Sequence, residues 1–187
     1  NAKFLELIHR IDKETSGVLL IAKKRITLVS IQKQIREKRI HKKYQVGVLG
    51  IWKEKQKIVT LNLLKTTTNI GQKVRVVMSK NKQQALSSKS VFFLNKNFGE
   101  YSLLDVKLIT GRTHQIRVHL AHSGYPVLGD DKYGDFQLNK ILKKNGLSRM
   151  FLHAYEYGFI HPITQENLLI KANTPKELMS FIRANGK

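Results

Sequence analysis

One short polar segment between two apolar stretches carries an aspartate among cations. Residues 9–17 read HRIDKETSG, in which Asp12 stands close to Arg10 and next to Lys13. Neighbouring positive charges favour the ionised form of a carboxylic acid. An ionised aspartate on a basic surface can act as a nucleophile, a base or an electrostatic stabiliser. It can equally close a turn or form a surface ion pair, because isolated aspartates are frequent in loops.

A second segment concentrates arginine and histidine. Residues 110–119 read TGRTHQIRVH, with a glycine that permits a tight turn and two arginines, Arg112 and Arg117. Arginine binds phosphates and carboxylates through its planar fork of donors. The segment therefore either pairs with a carboxylate in a site or begins a helix that binds backbone phosphate.

Two further sets of side chains have the composition of a metal site, and neither is favoured. Residues 128–135 read LGDDKYGD, which is typical of a turn-rich loop but contains enough acids to hold Mg²⁺ in a metal-dependent nuclease. The acids are Asp130, Asp131 and Asp135. The candidate zinc ligands are His114, His119 and His122. Their spacing matches no common zinc pattern and the chain has no cysteine, so we predict no metal.

Four segments together resemble the signatures of one enzyme family. They are HRIDKETSGVLLIAK from residue 9, KKYQVGVLG from residue 42, TGRTHQIRVHLAHSGYPVLGDDKYGD from residue 110 and FLHAYEYGFIHP from residue 151. The chain resembles the RluA-type RNA pseudouridine synthases, whose signatures follow this order and spacing. The details FLELIHRID from residue 4 and HLAHSGYPVLGDDKYGD from residue 119 are most similar to the RluC-type members, which act on large-subunit ribosomal RNA.

The resemblance implies three catalytic residues. Asp12 matches the catalytic aspartate of the family. Tyr44 matches a tyrosine that stacks on the target base and takes part in proton abstraction. Arg117 matches the arginine that pairs with the aspartate.

It also implies three substrate-binding residues. Arg10 matches an arginine that fills the gap left by a flipped-out nucleotide, and Leu152 matches an apolar residue that packs the pocket. Arg112 matches a recurring family position that we assign to RNA or loop contacts. We expect His114 and His119 to support the structure.

The resemblance implies an isomerase that converts uridine to pseudouridine in RNA, most similar to enzymes of large-subunit ribosomal RNA. Isomerisation consumes no external reactant, so we expect no cofactor, no metal and no small-molecule partner. The implied fold is the pseudouridine synthase fold, with residues 1–187 as its catalytic domain. Family members carry an upstream lysine-proline-x-glycine element, and many carry an S4 domain; neither is found here, and the first residue is Asn. We therefore expect a part of a longer enzyme, acting as a monomer.

The charge of the chain independently indicates a polyanionic partner. Thirty-four Lys and Arg against 13 Asp and Glu give a net charge of +21. Residues 55–99 contain no acid but nine cations. A basic drift in overall composition would intersperse acids, so this distribution favours RNA binding. A non-catalytic RNA-binding module remains the alternative to an enzyme.

Composition sets the remaining limits. With 187 residues and 41% hydrophobic residues, the chain is long enough for one domain with a core. No apolar stretch is long enough to cross a bilayer, so we expect no membrane partner. The absence of cysteine fits a reducing cytoplasm, where we expect the protein to act.

The catalytic segments must be positioned by short strands and few helices. Apolar spacing predicts a helix over residues 24–38 and another after Thr174-Pro175, in which Leu178, Phe181 and Ile182 are buried. Residues 113–123 are ambiguous, because their alternation indicates a strand whereas Gly124 and Pro126 indicate the end of a helix.

The predicted strands cover residues 4–8, 18–22, 44–48, 58–64, 74–78, 90–94, 101–109, 151–160 and 168–172, with a hairpin turn at 95–99. Many strands with scattered helices predict an α+β domain with a mixed, mainly antiparallel sheet and flanking helices around an RNA-binding cleft.

Overall fold

The computed structural model describes residues 4–68, 71–77 and 84–185. In these residues the strands are β1 (Glu6–Leu7), β2 (Ser16–Gly17), β3 (Ile21–Ala22), β4 (His41–Leu49), β5 (Gln56–Thr68), β6 (Gly71–Val76), β7 (Leu86–Phe98), β8 (Tyr101–Leu108), β9 (Leu152–Ile160) and β10 (Asn167–Lys171). The helices are α1 (Arg25–Arg36), α2 (Gln115–His122), α3 (Phe136–Lys144) and α4 (Lys176–Asn185). Met78, Lys80 and Lys82, which belong to the predicted strand and to the acid-free basic stretch, lie outside the described residues.

The larger sheet runs in the order β10-β9-β4-β8-β7-β5-β6. Each neighbouring pair on this path is antiparallel. The short strand β2 joins β9 in parallel, whereas β1 and β3 form a separate two-stranded ribbon. The predicted α+β class with a mixed, mainly antiparallel sheet is therefore confirmed.

The core lies on both faces of this sheet. Alternate residues of a strand point to opposite faces, and the adjacent Leu103 and Leu104 of β8 belong to two different apolar clusters. Leu104 lies in the cluster that contains Ile116 of α2. Leu103 lies in the cluster that contains Leu142 of α3 and Leu178 of α4. Helix α2 therefore covers one face, and α3 and α4 cover the other.

The elements with a clear apolar period form where they were predicted. These are α1, β4 and α4, and all three residues of the predicted α4 stripe are buried. The ambiguous segment 113–123 forms helix α2. Its residues 115–120 are all buried, which is why the alternation of apolar side chains was not diagnostic of a strand.

Three details differ from the sequence predictions. Only Glu6–Leu7 and Ile21–Ala22 pair as strands in the first two predicted segments, since they form a short ribbon of their own. Strand β7 continues to Phe98, so the hairpin turn lies at Gly99, whose φ of 58° suits glycine. Helix α3 was not predicted; the carboxylate of Asp135 accepts hydrogen bonds from two backbone amides and caps its first turn. Among the described residues, no helix combines the length and apolarity needed to span a membrane.

Candidate active site

All six predicted site residues line one cleft beside helix α2, with a volume of about 260 Å³. They are Arg10, Asp12, Tyr44, Arg112, Arg117 and Leu152. Residues separated by more than a hundred positions in the sequence thus meet around one space. Among the residues that the structure describes, Asp12 is the single acid lining this cleft.

A close approach between the first signature and strand β9 positions Asp12. The backbone amide of Thr15 donates to the carbonyl of Asp12 at 2.9 Å, which closes the turn after the aspartate. Gly17 follows with a φ of +114°, and a Cβ atom there would lie 2.1 Å from the carbonyl oxygen of Ala154. Only glycine fits this contact, so Gly17 fixes the loop against β9 and places Asp12 at the cleft.

Arg117 is anchored mainly by a carboxylate other than Asp12. Its Nε and Nη2 groups donate to the two oxygens of Asp130 at 2.7 and 2.6 Å. Its Nη1 group reaches Asp12 Oδ2 at 3.4 Å, and Nη2 reaches Asp131 at 3.2 Å. The pairing of Arg117 with Asp12 is therefore present, but it is the longest of the four contacts that Arg117 makes with three carboxylates. Burial lowers the pKa of Arg117, yet its hydrogen bonds to Asp130 and the nearby carboxylates outweigh this and raise it.

The acids of residues 128–135 build the loop that supports Arg117. Asp130 is fully buried and also accepts hydrogen bonds from the backbone amides of Lys132 and Tyr133. Asp135 caps α3, and Asp131 is largely exposed. The carboxylates are thus engaged with the protein itself, and no cluster in the described part of the chain has the side chains of a metal site.

Tyr44 lies in β4 where its pairing with β9 is irregular. The register shifts between Lys43 and Gln45, so that two residues of β9 lie opposite Tyr44. Such bulges change the direction of a side chain and are frequent near active sites. Burial, with a smaller contribution from the charge of Asp12, raises the pKa of Tyr44 to about 12. The phenol is therefore protonated at neutral pH and can donate a hydrogen bond into the cleft.

The three predicted substrate-binding residues occupy different parts of the cleft. Leu152 is buried at the start of β9, whereas Arg10 is exposed at the entrance. Arg112 is also exposed, and its Nε group donates to the carbonyl of Ser87 at 3.3 Å. Thr15, which the sequence did not single out, lines the cleft with a buried hydroxyl that has no hydrogen-bond partner among the described residues.

His114, which precedes α2, and His119 within it both have side-chain partners in the protein. Tyr133 accepts a hydrogen bond from the amide of Val74, so its hydroxyl proton is free to be donated to His114 Nδ1, 2.8 Å away. Burial lowers the pKa of His114. His119 is fully buried with Nε2 2.7 Å from Ser88 Oγ, and burial lowers its pKa to about 4. Both imidazole rings are therefore mainly neutral at pH 7.

His9 and Lys42 also line the cleft, and both contact Tyr157 behind it. The ring of His9 stacks on Tyr157 at 4.5 Å, and its Nε2 accepts from the amide of Leu20. Burial, followed by the charge of Lys42, lowers the pKa of His9 to about 4. The ammonium group of Lys42 lies 5.4 Å from the centre of the Tyr157 ring.

Besides Thr15, sequence reasoning missed three residues in or next to the site. Asp130 and Tyr133 lie in residues 128–135, for which the sequence favoured a turn-rich loop over a magnesium site and gave no partner for Arg117. Lys42 belongs to the second signature, but its burial depends on the tertiary structure. One feature of the sequence could have indicated the role of Asp130. The arginines of residues 110–119 lie close in sequence to the acids of residues 128–135, which favours an ion pair between the two segments.

Comparison with known proteins identifies the family. A family model described as RNA pseudouridylate synthase matches residues 1–122. The chain belongs to this family. The predicted resemblance is therefore confirmed.

Curated relatives of this family match nearly the whole chain. The ribosomal large subunit pseudouridine synthase C of Pasteurella multocida is 40% identical over 184 residues, which are 98% of this chain and 55% of that protein. The protein of the same name from Vibrio vulnificus is 42% identical over 183 residues, covering 98% of this chain and 56% of that protein. The chain thus spans about half the length of these relatives.

Solved structures of the family share the fold. Human RNA pseudouridylate synthase domain containing 1 superposes with a TM-score of 0.77 at 25% identity, over 91% of this chain and 69% of that one. Human RNA pseudouridylate synthase domain containing 4 gives 0.76 at 25% identity, over 96% and 76%. The predicted pseudouridine synthase fold is confirmed by these similarities.

Proposed function

We propose that this chain is the catalytic part of an enzyme that isomerises uridine to pseudouridine in large-subunit ribosomal RNA, with Asp12 as its essential carboxylate. The observation that carries the proposal is the position of Asp12. It is the single acid among the described residues lining the cleft, it contacts Arg117, and 21% of its side chain is exposed. The names of the curated relatives support the ribosomal substrate.

The reaction explains why the cleft combines one carboxylate with aromatic and cationic groups. The bond from N1 of uracil to C1′ of ribose breaks, a bond from C5 to C1′ forms, C5 loses a proton and N1 gains one. Uracil must therefore turn while it stays bound, which requires it to leave the base stack. In this mechanism Asp12 attacks or deprotonates the nucleotide, and Arg117 holds the carboxylate in place.

The remaining cleft residues fit the binding of a flipped nucleotide. Tyr44 provides a ring on which uracil can stack, and Leu152 provides an apolar wall. Its raised pKa keeps Tyr44 protonated, so it begins the reaction as a proton donor rather than as a base. Arg10, exposed at the entrance, has the reach and charge to occupy the space that the nucleotide leaves in the RNA.

The experiment that tests this function is position-resolved mapping of pseudouridine in ribosomal RNA from cells with and without the gene. We expect one or more positions of the large-subunit RNA to lose pseudouridine, and to regain it when the wild-type gene is restored but not with Asp12→Asn. Unchanged modification in the deletion strain would contradict the proposal. Cleavage of the RNA that stops in excess chelator would favour the metal-dependent nuclease instead.

A further inference from the structure

A second concave surface continues from the active-site cleft and is lined by cations. It has a volume of about 380 Å³ and shares Ile35, Lys42, Leu108, Gly111 and Arg112 with the cleft. We call it the basic groove; Arg36, Lys38, Ile40, Ile109 and Thr110 complete its lining. No acid is present among the described residues that line it.

Lys42 lies at the junction of the cleft and the groove without an anion beside it. In the described part of the chain, no carboxylate lies within ion-pair distance of its ammonium group. Its Nζ atom is 3.8 Å from the position that a Cβ atom of Gly111 would take. Burial lowers the pKa of Lys42, as expected for a cation that has lost water and gained no counter-charge.

Lys38 reaches the groove at the cost of backbone strain. It follows the C-terminus of α1 with a φ of 57°, in the left-handed region that favours glycine at this position. Its amide donates to the carbonyl of Ile35, which fixes the end of the helix. A lysine at a position that favours glycine is consistent with a function for its charge in the groove.

We propose that the basic groove binds the RNA backbone next to the target uridine, with Lys42, Lys38, Arg36 and Arg112 contacting phosphodiester groups. The proposal rests on the proposed function, since it assumes that RNA reaches the cleft. Because the groove shares five lining residues with the cleft, it lies next to the space in which Tyr44 would hold a base. A phosphate at the junction would also supply the counter-charge that Lys42 lacks.

Salt-dependent binding of a uridine dodecanucleotide, measured by fluorescence anisotropy, tests the groove without requiring turnover. Each phosphate contact on a single strand contributes about 0.7 to the slope of log K against log salt. We expect Lys42→Met and Lys38→Gly each to reduce the slope by about 0.7. Lys42→Met keeps the aliphatic stem over Tyr157, and Lys38→Gly relieves the strained backbone, so neither change should lower the melting temperature.

The matched control is Lys143→Met, which removes the same charge from the exposed face of α3, outside both the cleft and the groove. It should change the slope much less. If Lys42→Met and Lys38→Gly resemble Lys143→Met, the groove does not bind phosphate. Pseudouridine formation by the wild type is measured in parallel: normal turnover with no slope difference refutes the groove alone, and a slope difference without any turnover refutes the proposed function alone.

Discussion

Glu156 and Asp12 are two carboxylates that lie near basic side chains, beside opposite faces of strand β4. They differ in burial and in the number of partners. Lys43 and Tyr44 are adjacent in β4; Lys43 contacts Glu156, and Tyr44 lines the cleft with Asp12. The side chain of Glu156 is 4% exposed and has three basic neighbours, two lysines and a histidine. They are His41 at 2.7 Å, Lys43 at 3.4 Å and Lys171 at 3.4 Å.

The two sites differ in how many hydrogen bonds and ion pairs the carboxylate already makes with the protein. Burial raises the pKa of Glu156, but hydrogen bonds from His41, Lys43 and Lys171 outweigh it and lower the pKa below its ordinary value. Asp12 instead faces open space and contacts an arginine whose other donors hold Asp130. The comparison teaches that a saturated carboxylate stabilises the fold, whereas an open one beside a fixed cation is available to a substrate.

Breaking the anchor behind the open site should have the largest effect on stability. Arg117→Met leaves the fully buried Asp130 without its cation, and we expect a loss of about 3–5 kcal/mol in the free energy of unfolding. Adding Asp130→Asn should recover part of this loss, whereas adding Asp12→Asn should not. Urea denaturation of the single and double variants measures it. Better recovery with Asp12→Asn would show that Asp12 is the anchor.

As the pH falls, the protein should lose the stability that neutral His119 contributes before it loses the stability that ionised Glu156 contributes. The folded pKa of His119, about 4, is below the ordinary value of 6.5, so the unfolded chain binds more protons between these values. Its contribution is complete above pH 6.5 and declines toward pH 4, by about 3 kcal/mol at most. Glu156, with its lowered pKa, contributes above its ordinary value of 4.5 and loses this only at lower pH.

Denaturation curves from pH 7 to 3.5 measure this order. His119→Asn should flatten the decline between pH 6.5 and 4, although its stability at neutral pH is lower. Glu156→Gln should flatten only the part below pH 4.5. An unchanged profile in His119→Asn would show that another group causes the loss between pH 6.5 and 4.

The smallest of these stability effects is expected at the saturated site. Glu156→Gln leaves two lysines and a histidine that are partly exposed and can regain water, so we expect a loss of about 1–2 kcal/mol. Pseudouridine formation should stay at the wild-type level, because this carboxylate faces away from the cleft. Thermal melts and a turnover assay measure the two properties. A large loss of turnover would remove the distinction between the two carboxylates.

The parts of the fold that depend on local pattern were predictable. The spacing of Leu28, Ile31 and Ile35 predicts α1, and the capped stripe predicts α4, because each has one buried face. Helix α2 could not be assigned, since burial around it removes the contrast between faces. Helix α3 follows a loop whose composition hides its start at Asp135.

The cleft residues that belong to the family signatures were predictable from the sequence. Asp12, Tyr44 and Arg117 come from separate signatures, and the structure brings them to one cleft. The role of Asp130 was not predictable in the same way. Its burial arises because the loop after Val127 folds back under α2, and composition alone does not distinguish a buried aspartate from one in a surface turn.

The most direct test of the central claim compares Asp12→Asn with Glu156→Gln in a tritium-release assay on RNA containing 5-³H-uridine. The asparagine keeps the size of the side chain and its contact with Arg117 but removes the charge. We predict that Asp12→Asn lowers turnover by more than about 10³-fold while the protein stays folded and binds RNA, and that Glu156→Gln turns over normally. Substantial turnover by Asp12→Asn would contradict the account.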